Sequence, residues 1–483
     1  MTSRIMIAAP KSGSGKTSVT IALLGALKKL NKKTVSFKCG PDYIDPLFHK
    51  TVLGIPSFNL DTFFTDENKT NELFIRHSEG FDIAVIEGVM GLYDGLGGIR
   101  KEGSSYHLAK VTDTPIVLVV DAKGMGRSVV SLIKGFMADD KEDLIKGIIL
   151  NKTSRLFYET IAPVIETETG LDVLGFMSER KDVNISSRHL GLTTPNDLKD
   201  INETIDNLCD EFTGNVSIEK IISIASHSDL SETINPDAAK RALQTSTEDS
   251  AVCLKETCSA ERSAAICHIA VARDDAFCFL YEDNLDLLRK YGADIFFFSP
   301  LNDERIPKGA DALYLPGGYP ELYLEKLSSN KSMLSSIKEA YENSMPFFAE
   351  CGGFMYLNKS IEDKEKNKFD TVGIIDAECT YMGKSVRFGY IELKEKTANF
   401  LPEGEKIKGH EFHYYDSTRN GESAKAVKPV SGKEYDCVIE NENSWMGFAH
   451  LYFPSNPEFA RNFVSKAAVY HKNAQPEISD GLE

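Results

Sequence analysis

The sequence has no apolar run approaching the roughly 18 residues that a membrane-crossing helix requires. Its basic start is followed by no long apolar core, so neither a span nor a secretory signal is expected. The nine cysteines include no C-x-x-C pair and follow no regular spacing, which disfavours both a disulfide framework and a zinc cluster. Positive charge is scarce: 55 Lys and Arg stand against 72 Asp and Glu, a net charge of −17. That balance argues against general nucleic-acid binding and against docking on an anionic membrane. An anionic ligand would need locally placed Lys, Arg and N–H groups. We expect a cytoplasmic protein with reduced thiols. With 42% hydrophobic and 26% charged residues over 483 positions, the chain can build sizeable cores in two or three domains.

What is present begins at the N-terminus. The apolar run from Ile5 leads into Pro10-Lys11-Ser12-Gly13-Ser14-Gly15-Lys16-Thr17, and an apolar helical pattern follows. Strand, small-residue turn and helix in that order make a phosphate cradle, because Gly13 and Gly15 let backbone N–H groups wrap an anion at a helix N-terminus. Lys16 would reach the terminal phosphates of a nucleoside triphosphate, and the Thr17 hydroxyl would face Mg²⁺. Pro10 replaces the usual opening glycine, and Lys11 gives the loop its variant form, in which an early lysine also meets phosphate.

Further strands end in chemically loaded loops. A buried strand over Lys33–Lys38 precedes Gly40-Pro41-Asp42-Tyr43-Ile44-Asp45-Pro46, whose two acids would hold Mg²⁺, orient a substrate, or simply form a solvated Asx turn. The strand Phe81–Ile86 ends at Glu87, where nucleotide-hydrolysing folds put the acid that holds Mg²⁺ or its water. A glycine-rich stretch carrying Asp94 follows. Asn151 after Ile148–Leu150 would read a base edge or cap its strand. The strand–helix alternation predicts a parallel sheet covered on both faces.

From Ser226 to Ser263 the pattern dissolves into Ser, Thr, Asp, Glu and Ala, which predicts a linker with Cys253 and Cys258 as incidental thiols. Strands resume at Ile266. Phe347-Phe348-Ala349-Glu350-Cys351-Gly352-Gly353 sets a cysteine between strand and helix, the form of a nucleophile elbow. The Gly352 N–H would bind an oxyanion, with Gly317 or Gly318 as second donor. His450, in a strand over Trp445–Phe453, is the candidate base. His410 and His413 compete less well, because their spacing and strand-like flanks do not suit a zinc helix.

The order of Gly-Gly turn, cysteine elbow and late histidine resembles the triad-type glutamine amidotransferases. Many of these carry an acid two residues after the histidine, where this chain has Tyr452, so the orienter of His450 stays unassigned. In the first half, Gly40–Pro46, Ile86–Gly95 and Arg188-His189-Leu190-Gly191-Leu192 resemble the cobyrinate a,c-diamide synthase family of cobalamin biosynthesis, and the half is also similar to dethiobiotin synthetase. The resemblance implies a P-loop NTPase-like domain over 1–225, a linker over 226–263, a class I glutamine amidotransferase α/β domain over 264–472 and a disordered tail over 473–483. It implies Mg²⁺ contacts for Thr17, Asp45 and Glu87, and substrate or intermediate handling for Asp42, Tyr43, Ile44 and Asp94. The implied reaction is ATP- and L-glutamine-dependent amidation of the a and c carboxylates of cobyrinate, a corrin, through an acyl phosphate. Hydrogenobyrinate and nickel-sirohydrochlorin are the alternative substrates. A partitioning-type switch ATPase is the alternative of another class, and it leaves Cys351 and His450 unexplained. A homo-oligomer is compatible with the sequence.

Overall fold

Ile5-Met6-Ile7-Ala8 is apolar without alternation, and all four side chains are fully buried, as a strand covered on both faces demands. It is the central strand of the N-terminal of two units, residues 1–260 and 261–483, into which the chain divides. The computed structural model describes residues 2–179, 197–226 and 266–474. The expected linker beyond Ser226, Cys253, Cys258, Arg188–Leu192 and most of the expected tail lie outside the described residues.

In the first unit β1 (Ser3–Ala8), β2 (Thr34–Cys39), β3 (Ser57–Leu60), β4 (Ile83–Glu87), β5 (Ile116–Asp121), β6 (Ile145–Asn151) and β7 (Asp172–Phe176) form one sheet, ordered β3-β2-β4-β1-β5-β6-β7. All its pairings are parallel. The order reverses at β1, so the loops after β1 and β4 leave the carboxyl edge at the crevice where open α/β sheets take ligands. Helix α1 (Lys16–Lys29) follows β1 through the phosphate-type loop, and α2 (Ile44–Thr51) follows β2 through the Asp42 loop. The edge strand β3 is absent from the sequence reading because Ser-Phe-Asn-Leu is too short to show a period.

The second unit opens with β8 (Cys267–Ala272), β9 (Ala293–Phe298), β10 (Ala312–Leu315) and β11 (Phe347–Glu350). A long excursion follows: β12 (Asn358–Glu362), β13 (Lys368–Asp370), β14 (Ile375–Tyr381), β15 (Arg387–Glu395), β16 (Lys406–His413), β17 (Tyr415–Ser417), β18 (Ala424–Val427) and β19 (Glu434–Cys437). Last come β20 (Ile439–Glu440), β21 (Ser444–Gly447) and β22 (His450–Leu451). The main sheet runs β20-β21-β11-β10-β8-β9, parallel except for β20. Two smaller sheets run β13-β12-β14-β17 and β19-β18-β15-β16-β22. The single strand expected over Trp445–Phe453 is therefore two. β21 pairs with β11 in the main sheet, whereas β22 pairs antiparallel with β16 in another.

Phe348 of β11 anchors this core, with ring centroids 4.9 to 5.3 Å from those of Tyr314, Trp445, Phe453 and Phe459. The short helix Gly352–Leu357 lies so close to β10 that a Cβ on Gly353 would stand 2.1 Å from the Leu315 carbonyl oxygen. Backbone cannot yield there as a side chain can. Gly353→Ala should destabilise the second unit by about 1–3 kcal/mol, read as a lowered midpoint of its thermal transition.

Candidate active site

The loop after β1 is held open from β6. The side-chain amide of Asn151 donates to Ser14 O at 2.7 Å, and Lys152 Nζ donates to Gly13 O at 2.8 Å. Ser14 Oγ donates to Lys11 O at 3.0 Å. Gly15 has φ +94°, and a Cβ there would meet Asn151 Nδ2 at 2.0 Å, so both conformation and space require glycine. Lys11, Ser12 and Gly13 are exposed. A cavity of about 180 Å³ opens beside Gly15, Asn151 and Ser178. Asn151 thus lines this cavity while its amide braces the loop.

Behind the loop lies a buried charge cluster. Thr17 Oγ1 donates to Glu87 Oε1 at 2.7 Å. Lys38, at the end of β2, places its ammonium against Asp45, at 2.9 Å from Glu87 Oε1 and at 3.9 Å from Asp42 Oδ2. Burial alone would neutralise Lys38, but attraction to Asp45 and Glu87 outweighs it and raises its pKa well above the lysine range. Burial likewise opposes the charge on Asp45, and Lys38 overcomes it, holding Asp45 below the usual carboxylate range. Burial and the neighbouring Asp45 push Glu87 upward. Lys16 donates to Met90 O, and burial, then Lys38, lowers it to about 8.

The remaining first-half candidates gather around this cluster. Asp42 Oδ1 accepts from the Ile44 N–H at 2.9 Å, forming the Asx turn that starts α2, and Tyr43 beside it is buried. Asn59 of β3 donates to Gly40 O at 2.9 Å and to Asp42 O at 2.7 Å, pinning the acid-bearing loop. Asp94 Oδ2 accepts from the Gly91 N–H at 3.0 Å. Lys38 and Asn59 were missed by sequence reasoning. A lysine closing a buried strand just before an acid-bearing loop was the available signal for Lys38, whereas Asn59 gave none. Asp45 Oδ1 and Glu87 Oε2 are buried without a hydrogen-bond partner. Two such carboxylate oxygens and the Thr17 hydroxyl are the hard donor set that suits Mg²⁺.

In the second unit Cys351 has φ +44° and ψ −104°, a strained backbone for a residue with a side chain. The Cys351 N–H donates to Gly447 O at 2.8 Å, fixing the elbow to β21. Gly352 is the first residue of its helix, so its N–H has no helical acceptor. A Cβ on Gly352 would stand 3.1 Å from Gly318 N, and one on Gly317 would stand 2.2 Å from His450 Cε1. Cys351, His450, Gly317, Gly318 and Gly352 therefore meet at one point. Burial would strip the proton from His450, but attraction to Cys351 and a hydrogen bond donated to it, with Glu350 next, raise its pKa to about 10. His450 Nδ1 lies 3.4 Å from Glu350 Oε2.

His410 stacks on His450, centroids 4.9 Å apart and planes 17° apart, and meets Tyr281 Oη at 3.2 Å through Nδ1. Burial, then His450, keeps His410 neutral by lowering its pKa well below the histidine range. His413 stacks instead on Phe448, centroids 4.0 Å apart. Neither histidine was assigned a role from sequence, and the stacking of His410 now gives one: it covers a face of the base.

Comparisons with known proteins agree with this geometry. Residues 5–192 match the model of the CobQ/CobB/MinD/ParA nucleotide binding domain, and residues 268–458 match that of the CobB/CobQ-like glutamine amidotransferase domain. The chain is thus an N-terminal P-loop NTPase-like unit followed by a class I amidotransferase α/β unit. No helix among the described residues is long and apolar enough to cross a membrane. The cobyrinate a,c-diamide synthase of Caldanaerobacter subterraneus subsp. tengcongensis is 37% identical, the match covering 96% of this chain and 98% of that one. That of Picrophilus torridus is 38% identical over 95% of this chain and 98% of the relative. That of Listeria innocua is 36% identical over 94% and 97%. With such identity along nearly the whole of each chain, this protein belongs to the cobyrinate a,c-diamide synthase family.

Proposed function

We propose that this protein is an amidoligase that uses ATP and L-glutamine to convert the a and c carboxylates of cobyrinate to amides, in the cytoplasm. One observation carries the reading: a strained, glycine-flanked Cys351 faces His450 on a chain whose other half holds a phosphate loop backed by Thr17, Asp45 and Glu87.

A carboxylate resists attack by ammonia because resonance and charge oppose it. Lys11, Lys16 and the N–H groups from Ser12 to Thr17 bind the ATP phosphates and steady the charge that grows on them. Thr17, Asp45 and Glu87 would hold Mg²⁺, which when bound offsets phosphate charge. Asp42, Tyr43, Ile44 and Asp94 handle the acid and its activated form. A substrate carboxylate oxygen then attacks the γ-phosphorus, ADP departs, and an acyl phosphate remains.

Nitrogen comes from glutamine. Cys351 Sγ attacks the side-chain amide carbon, and the Gly352 N–H with Gly317 or Gly318 holds the oxyanion. His450, kept protonated, gives its proton to the departing nitrogen, so ammonia leaves and a thioester remains. Water, losing a proton to His450, hydrolyses the thioester to glutamate. Ammonia then attacks the acyl phosphate carbon and displaces phosphate, giving the amide.

Incubation with ATP, glutamine and cobyrinate, hydrogenobyrinate or nickel-sirohydrochlorin, followed by mass analysis, should count two added amides on cobyrinate. Amides on another of the three acids, and none on cobyrinate, would reassign the substrate. Cys351→Ala should lower glutamine-supported amidation by more than about 10³-fold while sparing amidation with added ammonia. Lys16→Ala should lower amidation about 10²–10³-fold with either nitrogen source, measured as product formed at saturating ATP.

A further inference from the structure

His450 acts only if something fixes its ring and balances its charge, and the place two residues later holds Tyr452. That side chain is committed elsewhere: Tyr452 Oη donates to Asp283 Oδ2 at 2.8 Å, and its ring meets that of Tyr281 edge-on. His410 faces the flat of the His450 ring, not its edge, so it offers no in-plane acceptor. Glu411, next on β16, is taken up by Arg387, Lys428 and Tyr435. The Glu350 carboxylate, by contrast, lies with Oε2 3.4 Å from His450 Nδ1, an ion-pair contact and not an aligned hydrogen bond, both side chains being at most 2% exposed. Its other oxygen, Oε1, accepts from Tyr314 Oη at 2.8 Å, which locks the carboxylate from β10.

We infer that Glu350 is the positioning acid of the glutaminase, holding Nδ1 of His450 so that Nε2 is left for the sulfur of Cys351. The acid comes from the residue before the nucleophile and not from the strand of the base. The elbow makes this possible, since the turn at Cys351 brings adjacent side chains to one imidazole. Orientation and charge then come from the same short segment, β11 and its turn. The groups facing His450 are Cys351 and Glu350 from that segment, His410 from β16 and, through Glu350, Tyr314 from β10.

The inference rests on the proposed glutaminase role, and its test needs no tetrapyrrole. Glutamine hydrolysis and iodoacetamide alkylation of Cys351 are followed against pH in the full chain and in Glu350→Gln. We expect kcat for glutamine to fall about 10–10³-fold with KM nearly unchanged, less than the ~10⁴-fold seen for the matching change in a serine protease, because sulfur needs less help from its base. The alkaline inflection, which deprotonation of His450 sets in the parent, should move to lower pH in both assays, because the variant removes a negative charge that favours the imidazolium. Ammonia-supported amidation should persist. A kcat within about twofold of the parent, or a fall with the inflection unmoved, overturns the assignment. Should Glu350→Gln not fold, Glu350→Asp, which withdraws the same charge by one methylene, carries the test by the same readouts and outcomes. Loss of amidation in the parent itself would instead overturn the proposed reaction and leave this assignment to the alkylation profile.

Discussion

A charge taken out of water must find an opposite charge within a few ångströms or be neutralised, a cation by losing a proton and a carboxylate by gaining one, and both charge clusters of this protein are solutions to that constraint. In the first unit the Lys38 ammonium lies between Asp45 and Glu87 at the carboxyl ends of β2 and β4. In the second, His450 stays protonated between Cys351 and Glu350. Parallel strands buried on both faces leave only their ends for polar groups, so the charges gather there.

The first centre was the more legible. Its motif residues fall on consecutive turns that follow strands, and the strands are marked by unbroken apolar runs. Thr17 and Glu87 could be named because each stands at a fixed offset from such a run, whereas Asp45 rested on the family resemblance alone. Lys38 escaped because a strand-ending lysine usually reaches water, and only its burial against Asp45 and Glu87 shows that it does not. Asn59 escaped for a different reason: it lies on a strand too short to be recognised, and its hydrogen bonds are to backbone.

In the second unit the elbow was legible from local chemistry, since glycines on one side and a strand on the other define a turn. The strand over Trp445–Phe453 was read as one because only Gly447 and His450 interrupt its apolar residues. The chain changes sheets within it, after Gly447, and hydropathy does not register which neighbour an extended segment bonds to. The strands between Asn358 and Cys437 mix buried and exposed faces with many charged residues, so their pairing rests on long-range contacts.

That change of sheet has a consequence. Sulfur and imidazole belong to different hydrogen-bonded ladders, one through β11 and β21, the other through β16 and β22. Neither ladder by itself dictates their spacing, which depends on how two layers lie against each other and on the few side chains that bridge them. Only Phe448 and Ala449 separate the two ladders in the chain, so the distance from sulfur to imidazole is set by side-chain packing between layers and by this short tether.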